Sequence, residues 1–112
     1  MKAGDIILIA FPFTSPTRLK VRPAVVITET KDRFRDIVVC AISSVLPDEP
    51  SAREILIKTL DADFSQTGLR VDSVIKIDRI ATLRESNVIT KLGVCSPGLW
   101  SKIQEAFKSL VF

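Results

Sequence analysis

The sequence predicts a mainly β protein ending in one helix, with its strands curled into a small, strongly bent sheet or barrel. Three observations predict this. Short apolar runs recur between residues 5 and 94 and are separated by turn residues such as Pro12, Pro16, Pro47 and Pro50. From Ser96 onward the apolar period changes from that of a strand to that of a helix. The chain has 112 residues, 46% hydrophobic and 26% charged, which suits one domain over 1–112 with an ordinary core. That composition excludes a disordered tail, a collagen-like chain and a low-complexity segment.

Each element follows from its local pattern. Asp5–Phe11 is apolar on both faces and reads as a buried first strand, followed by a loop around Thr14, Ser15 and Pro16. Val25–Thr28 is the centre of a second strand. Pro23 cannot donate a ladder hydrogen bond, so Arg22-Pro23 is expected at that strand's beginning. Lys31–Arg35 is a charged turn, Ile37–Ser43 a third strand, and Pro47 and Pro50 break the chain before a fourth strand at Glu54–Lys58. Residues 61–68 read as polar and irregular, with Phe64 as an anchor. Asp72–Asp78 alternates apolar and polar side chains towards its end, as a half-exposed strand does. Ile80–Leu83 extends or follows it, and Val88-Ile89 starts another short strand. Ser96-Pro97 is an N-cap followed by proline at the first helical position. Leu99, Ile103, Ala106, Phe107 and Leu110 then form one apolar stripe, read as core packing.

Several function classes drop out. No apolar stretch approaches the roughly 20 residues of a membrane helix, and the start lacks the pattern of a signal peptide. Cys40 and Cys95 each lie in an apolar run and are expected to be buried free thiols of a cytoplasmic protein. There is no histidine, which removes the Ser-His-Asp triad, the Cys-His pair and histidine metal ligands. No metal or other cofactor is expected. The formal net charge is +3, and residues 18–36 carry the whole excess, with six basic and three acidic groups. Such a strip suits a phosphate backbone and equally a solvated face.

Without histidine, the groups that could act on a phosphodiester are arginines, hydroxyls and carboxylates, and from the residues alone the chain reads as a small basic β-rich domain. RNA brings its own nucleophile, the 2′-hydroxyl. A protein cleaving it must position that group and stabilise a pentacoordinate phosphorane. The planar fork of arginine meets two phosphate oxygens at once, a hydroxyl side chain fixes register, and a carboxylate accepts a proton. Candidates are Arg22, the Ser43-Ser44 pair, and Lys76 with Asp78, which point the same way on a strand. Taken singly, each reads first as ordinary surface or turn chemistry, and none of these spacings is a specific motif. Phe11, Phe13 and Phe34 are read as core residues in preference to base-stacking platforms.

Four blocks in order resemble the PemK/MazF family of toxins: Gly4-Asp5-Ile6-Ile7-Leu8, Val21-Arg22-Pro23-Ala24-Val25-Val26-Ile27, Ala41-Ile42-Ser43-Ser44, and Asp72 through Leu83. The resemblance implies an SH3-like barrel with a C-terminal helix, usually homodimeric. It also implies a cytoplasmic, metal-independent, sequence-selective endoribonuclease on single-stranded RNA, held inactive by a cognate antitoxin. Carried over by position, Arg22 matches the catalytic arginine, Ser43 the hydroxyl position with Ser44 adjacent, and Asp78 an acidic position. Arg18, Lys20, Ser44, Lys76 and Arg79 are the expected RNA contacts. The loop at residues 13–20 departs from the family pattern, and Ala81 stands where arginine is common. The alternatives are a toxin-fold protein that only binds its antitoxin and a gyrase-binding toxin of the related barrel family.

Overall fold

Ile6, Ile7 and Ile9 are all fully buried, because their strand belongs to a sheet covered on both faces. The computed structural model describes residues 1–12 and 19–111, with side chains except those of Phe11, Pro12 and Leu19. Its six strands are β1 (Asp5–Pro12), β2 (Leu19–Glu29), β3 (Ile37–Ser43), β4 (Glu54–Ile57), β5 (Ser73–Leu83) and β6 (Val88–Val94). They form one antiparallel sheet in the order β4-β5-β3-β2-β1-β6. The edge strands β4 and β6 do not pair with each other, so the sheet bends without closing into a barrel. A short helix α1 (Phe64–Thr67) precedes β5, and α2 (Pro97–Val111) ends the described chain.

One core fills the space between the sheet and α2. Ile6, Val25, Cys40, Ile42, Ile75 and Ile77 meet Leu99, Ile103 and Ala106, so the predicted helical stripe is core. Ser96 caps α2 as its sequence suggests, its Oγ accepting a hydrogen bond from the Leu99 amide at 3.1 Å and donating to Asp63. A second cluster, Ile7, Ile9, Ala24, Val26, Ile37 and Val39, lies on the other face and is flanked by Met1, Leu83 and Val88. Two-sided cover explains why these strands lack a polar alternation.

Bulges supply the bending. Cys40 pairs with Ile80 while Ala41 pairs with Lys76, so Ile77, Asp78 and Arg79 bulge out of the β3–β5 ladder. The Ile77 amide donates to the Arg53 carbonyl at 2.9 Å. The predicted strands at 72–78 and 80–83 are therefore one strand with a bulge.

Three expectations need correcting. Pro23 lies inside β2, not at its start. It sits opposite Leu8 of β1, in a stretch where β2 has no partner on its β3 side, which is where a strand tolerates a missing amide. Residues 61–68 contain the helical turn α1, which ends at Gly68 in the left-handed conformation. Phe34 stands 60% exposed instead of joining the core. Phe64 does pack on the core as an anchor. Both thiols are free, Cys40 buried and Cys95 half-buried, and burial pushes each up to about 12.

Candidate functional site

A recess beside the sequence-predicted Arg22 opens at the mouth where the sheet splays. Ala24 opposite Ala41 is the last β2–β3 pair. Beyond it the start of β2 stays with β1, Arg22 opposite Ile9 and Pro23 opposite Leu8. The end of β3 stays with β5, Ile42 opposite Ile75 and Ser43 opposite Val74. The two arms diverge and leave a wedge between them.

Residues 68–72 enter that wedge, aimed by two glycines. Gly68 has φ 71°, and a Cβ on it would lie 2.0 Å from the Leu92 carbonyl oxygen. A Cβ on Gly93 would lie 2.2 Å from the Gln66 carbonyl oxygen. The end of α1 thus packs backbone to backbone on β6, a contact open only to glycine. The chain leaves it with Leu69 half-buried and Arg70 and Val71 exposed.

The result is a cleft of about 430 Å³ with Arg22, Ser44 and Arg70 on walls built from Leu8, Pro23, Ile42, Leu69 and Leu92. Arg22 and Arg70 are exposed, and neither forms an ion pair among the described residues. Two unneutralised guanidinium groups over apolar walls suit a phosphate, and charge counts for more where the walls displace water. Ser44, Arg70 and Val71 also line an adjoining recess of about 590 Å³, with Thr59 and Asp72 on its far side. Asp72 accepts the Thr59 amide at 2.7 Å, and that hydrogen bond holds its carboxyl below the usual carboxylate range.

The other sequence-predicted residues that the structure describes are not among those lining this cleft. Ser43 is half-buried, and its Oγ accepts the Val45 amide at 3.1 Å, closing the turn after β3. Lys76 pairs with Glu54 of β4 at 3.6 Å, directly across the ladder. Asp78 and Arg79 are exposed in the β5 bulge. Lys20 is exposed on β2 before Arg22, and Arg18 lies outside the described residues. Arg70 was missed by sequence reasoning. Its only signal is a lone cation two residues after a helix-ending glycine, and its place in the cleft depends on the fit of Gly68 against β6. Among the described residues no three His, Cys, Asp or Glu side chains gather as metal ligands do. Nor is any described helix long and apolar enough to cross a membrane.

The family model for a PemK-like, MazF-like toxin of type II toxin-antitoxin system matches residues 2–111. No curated protein sequence gives a significant match. Among solved structures, the fold is similar to that of an endoribonuclease in complex with its cognate antitoxin from mycobacterial species. The TM-score is 0.71 at 16% identity, over 99% of this chain and 94% of that one. It is equally similar to the Mycobacterium tuberculosis toxin MazF-mt6, with TM-score 0.71 and 16% identity over 96% and 95% of the two chains. At such identity the likeness speaks for the fold.

Proposed function

The chain belongs to the PemK-like, MazF-like toxins of type II toxin–antitoxin systems, and from that premise we propose that it is a sequence-selective endoribonuclease on single-stranded RNA. The observation that carries this reading is the cleft that gathers Arg22, Ser44 and Arg70. The scissile phosphate binds there, with Arg22 on its non-bridging oxygens and the Ser44 hydroxyl donating to one of them. The 2′-oxygen attacks phosphorus and the bond to the 5′-oxygen breaks, leaving a 2′,3′-cyclic phosphate and a 5′-hydroxyl end. In this reading water takes the 2′-hydroxyl proton and returns one to the 5′-oxygen, and no carboxylate lines the cleft among the described residues. Arg22 then acts by preorganised electrostatics, for which a single donor is worth on the order of 10²–10³ in kcat. A cognate antitoxin with an acidic segment would compete for the same guanidinium groups.

The test is to incubate the protein with a long single-stranded RNA in EDTA, beside Arg22→Ala, and to map the ends. Discrete cuts with 5′-hydroxyl ends, lost in the variant, are expected. Intact RNA after incubation with folded, antitoxin-free protein overturns the reading.

A further inference from the structure

The basic strip read from the sequence is not one patch in the fold. Arg22 lies at the cleft, whereas Lys31, Arg33 and Arg35 lie beyond Glu29, in the turn joining β2 to β3. At about 3.3 Å per extended residue, the stretch of β2 from Arg22 to Glu29 separates the two groups by roughly 20–25 Å. The far group lines a second cleft of about 730 Å³ between that turn and the N-terminal residues, with Lys2 on its other side.

This turn is built, not merely charged. The Thr30 hydroxyl donates to Asp32 Oδ1 at 2.8 Å, and the Phe34 amide donates to the same oxygen at 3.0 Å. The Asp36 amide donates to Thr30 Oγ1 at 2.9 Å, and the Thr30 amide to the Asp36 carbonyl at 2.8 Å. Arg35 is held at φ 50°, a left-handed conformation that residues with a Cβ seldom adopt. What this framework displays is an aromatic ring and three cations. Phe34 is 60% exposed, and the Arg33 guanidinium lies over its ring, 4.9 Å from the centroid, so a base would take the opposite face. The cleft's own carboxylates are Glu29 and Asp32, and Asp32 is occupied within the turn. An exposed ring beside several cations is the arrangement that binds single-stranded nucleic acid, the ring taking a base face and the cations the backbone.

We propose that the β2–β3 turn is a second RNA-binding site, an exosite in which Phe34 stacks on a base while Lys31, Arg33, Arg35 and Lys2 hold the flanking phosphates. It rests on the RNA reading of the cleft and extends it. The exosite holds a stretch of the strand that is not being cut, so it favours substrates long enough to reach both ends of β2.

The test uses the full chain and two RNAs with the same cut site, one too short to reach the turn and one extended on both sides. Binding is measured by fluorescence anisotropy in the Arg22→Ala background, so that the RNA stays intact. Cleavage is measured with Arg22 in place. Phe34→Ala and Arg33→Glu alter exposed side chains, and thermal unfolding checks that each variant is folded. Each is expected to weaken binding of the long RNA about tenfold and to leave cleavage of the short RNA unchanged. Arg33→Ala with Arg35→Ala removes two phosphate contacts, so the slope of log affinity against log salt should fall in magnitude by about 1.4. Equal effects on both RNAs, or none on either, overturn the exosite. If the folded variants lose affinity for a polyglutamate peptide but keep it for the long RNA, the turn serves an acidic protein segment and the proposal fails. If the unsubstituted protein cuts neither RNA yet binds the long one through Phe34, the nuclease reading fails and the exosite stands.

Discussion

The two ends of β2 carry similar charges in different settings. At the cleft end Arg22 and Arg70 stand over apolar walls, in a wedge left by strands that part. At the turn end Lys31, Arg33 and Arg35, exposed like the cleft pair, stand on a hydrogen-bonded loop. Guanidinium groups near low-dielectric walls are suited to stabilising charge that develops in a reaction. Solvated ones attract a polyanion, and salt screens them. The cleft end is therefore suited to chemistry and the turn end to holding the strand.

The largest expected effect sharpens that contrast. Arg22→Ala should lower kcat by on the order of 10²–10³ while leaving the melting temperature nearly unchanged, since its side chain is exposed. Single-turnover cleavage beside a thermal melt checks both. A loss as large in a turn variant such as Arg33→Glu would erase the distinction between the two ends.

The second prediction breaks the cleft through its frame. Gly68→Ala would hold alanine at φ 71° with its Cβ against the Leu92 carbonyl. The left-handed backbone alone costs about 1–2 kcal/mol, and relieving the clash must shift β6 or the entry to the wedge. The melting temperature should fall by roughly 8 °C or more. Short-RNA cleavage should drop even at temperatures where the variant is folded, while the turn keeps its affinity for the long RNA. Unchanged cleavage in the folded variant would show that the 68–72 segment does not shape the cleft.

This junction also marks what a sequence can reveal. The apolar runs and the Ser96-Pro97 cap fixed most strands and the helix, because local periodicity and capping chemistry encode them. Pro23 misled because proline is read as a strand boundary, whereas here β2 simply lacks one neighbour for several residues. Arg22 stood out through its Arg-Pro block. Arg70 could not, since it joins Arg22 only by way of Gly68 meeting β6, a contact between segments far apart in the chain. Phe34 reads from the sequence as core in preference to a stacking platform, and its exposure follows from turn hydrogen bonds that composition does not register.

A smaller effect separates the two serines. Ser44 lines the cleft, so Ser44→Ala should slow cleavage about 10-fold, the order of a lost hydrogen bond to a charged group. Ser43→Ala removes the oxygen that accepts the Val45 amide, at a cost of about 1 kcal/mol in stability. It should change cleavage of the folded protein little. The reverse ranking in parallel kinetics would place the working hydroxyl on Ser43 and require the end of β3 to turn over when RNA binds.

The smallest effect is an acid titration of the turn. The hydrogen bond from the Thr30 hydroxyl, followed by that from the Phe34 amide, holds the Asp32 carboxyl below its ordinary value. A carboxyl lowered on folding favours the folded turn above its unfolded pKa, and that contribution disappears as pH falls through the folded value. The turn should therefore be fully ordered at neutral pH and loosen below about pH 4. Amide exchange at Phe34, read by NMR, should lose protection there before the buried strands do. Asp32→Asn keeps an acceptor oxygen but not the titration, so Phe34 protection in that variant should not change with acid until the whole protein unfolds. Asp72, in the recess that adjoins the cleft, provides the matching control. Its carboxyl is lowered by the Thr59 amide, so Thr59 should lose protection over a similar acid range. If acid frees Thr59 while Phe34 stays protected, the turn is held by its backbone bonds alone, and Asp32 is not what presents Phe34 to a base.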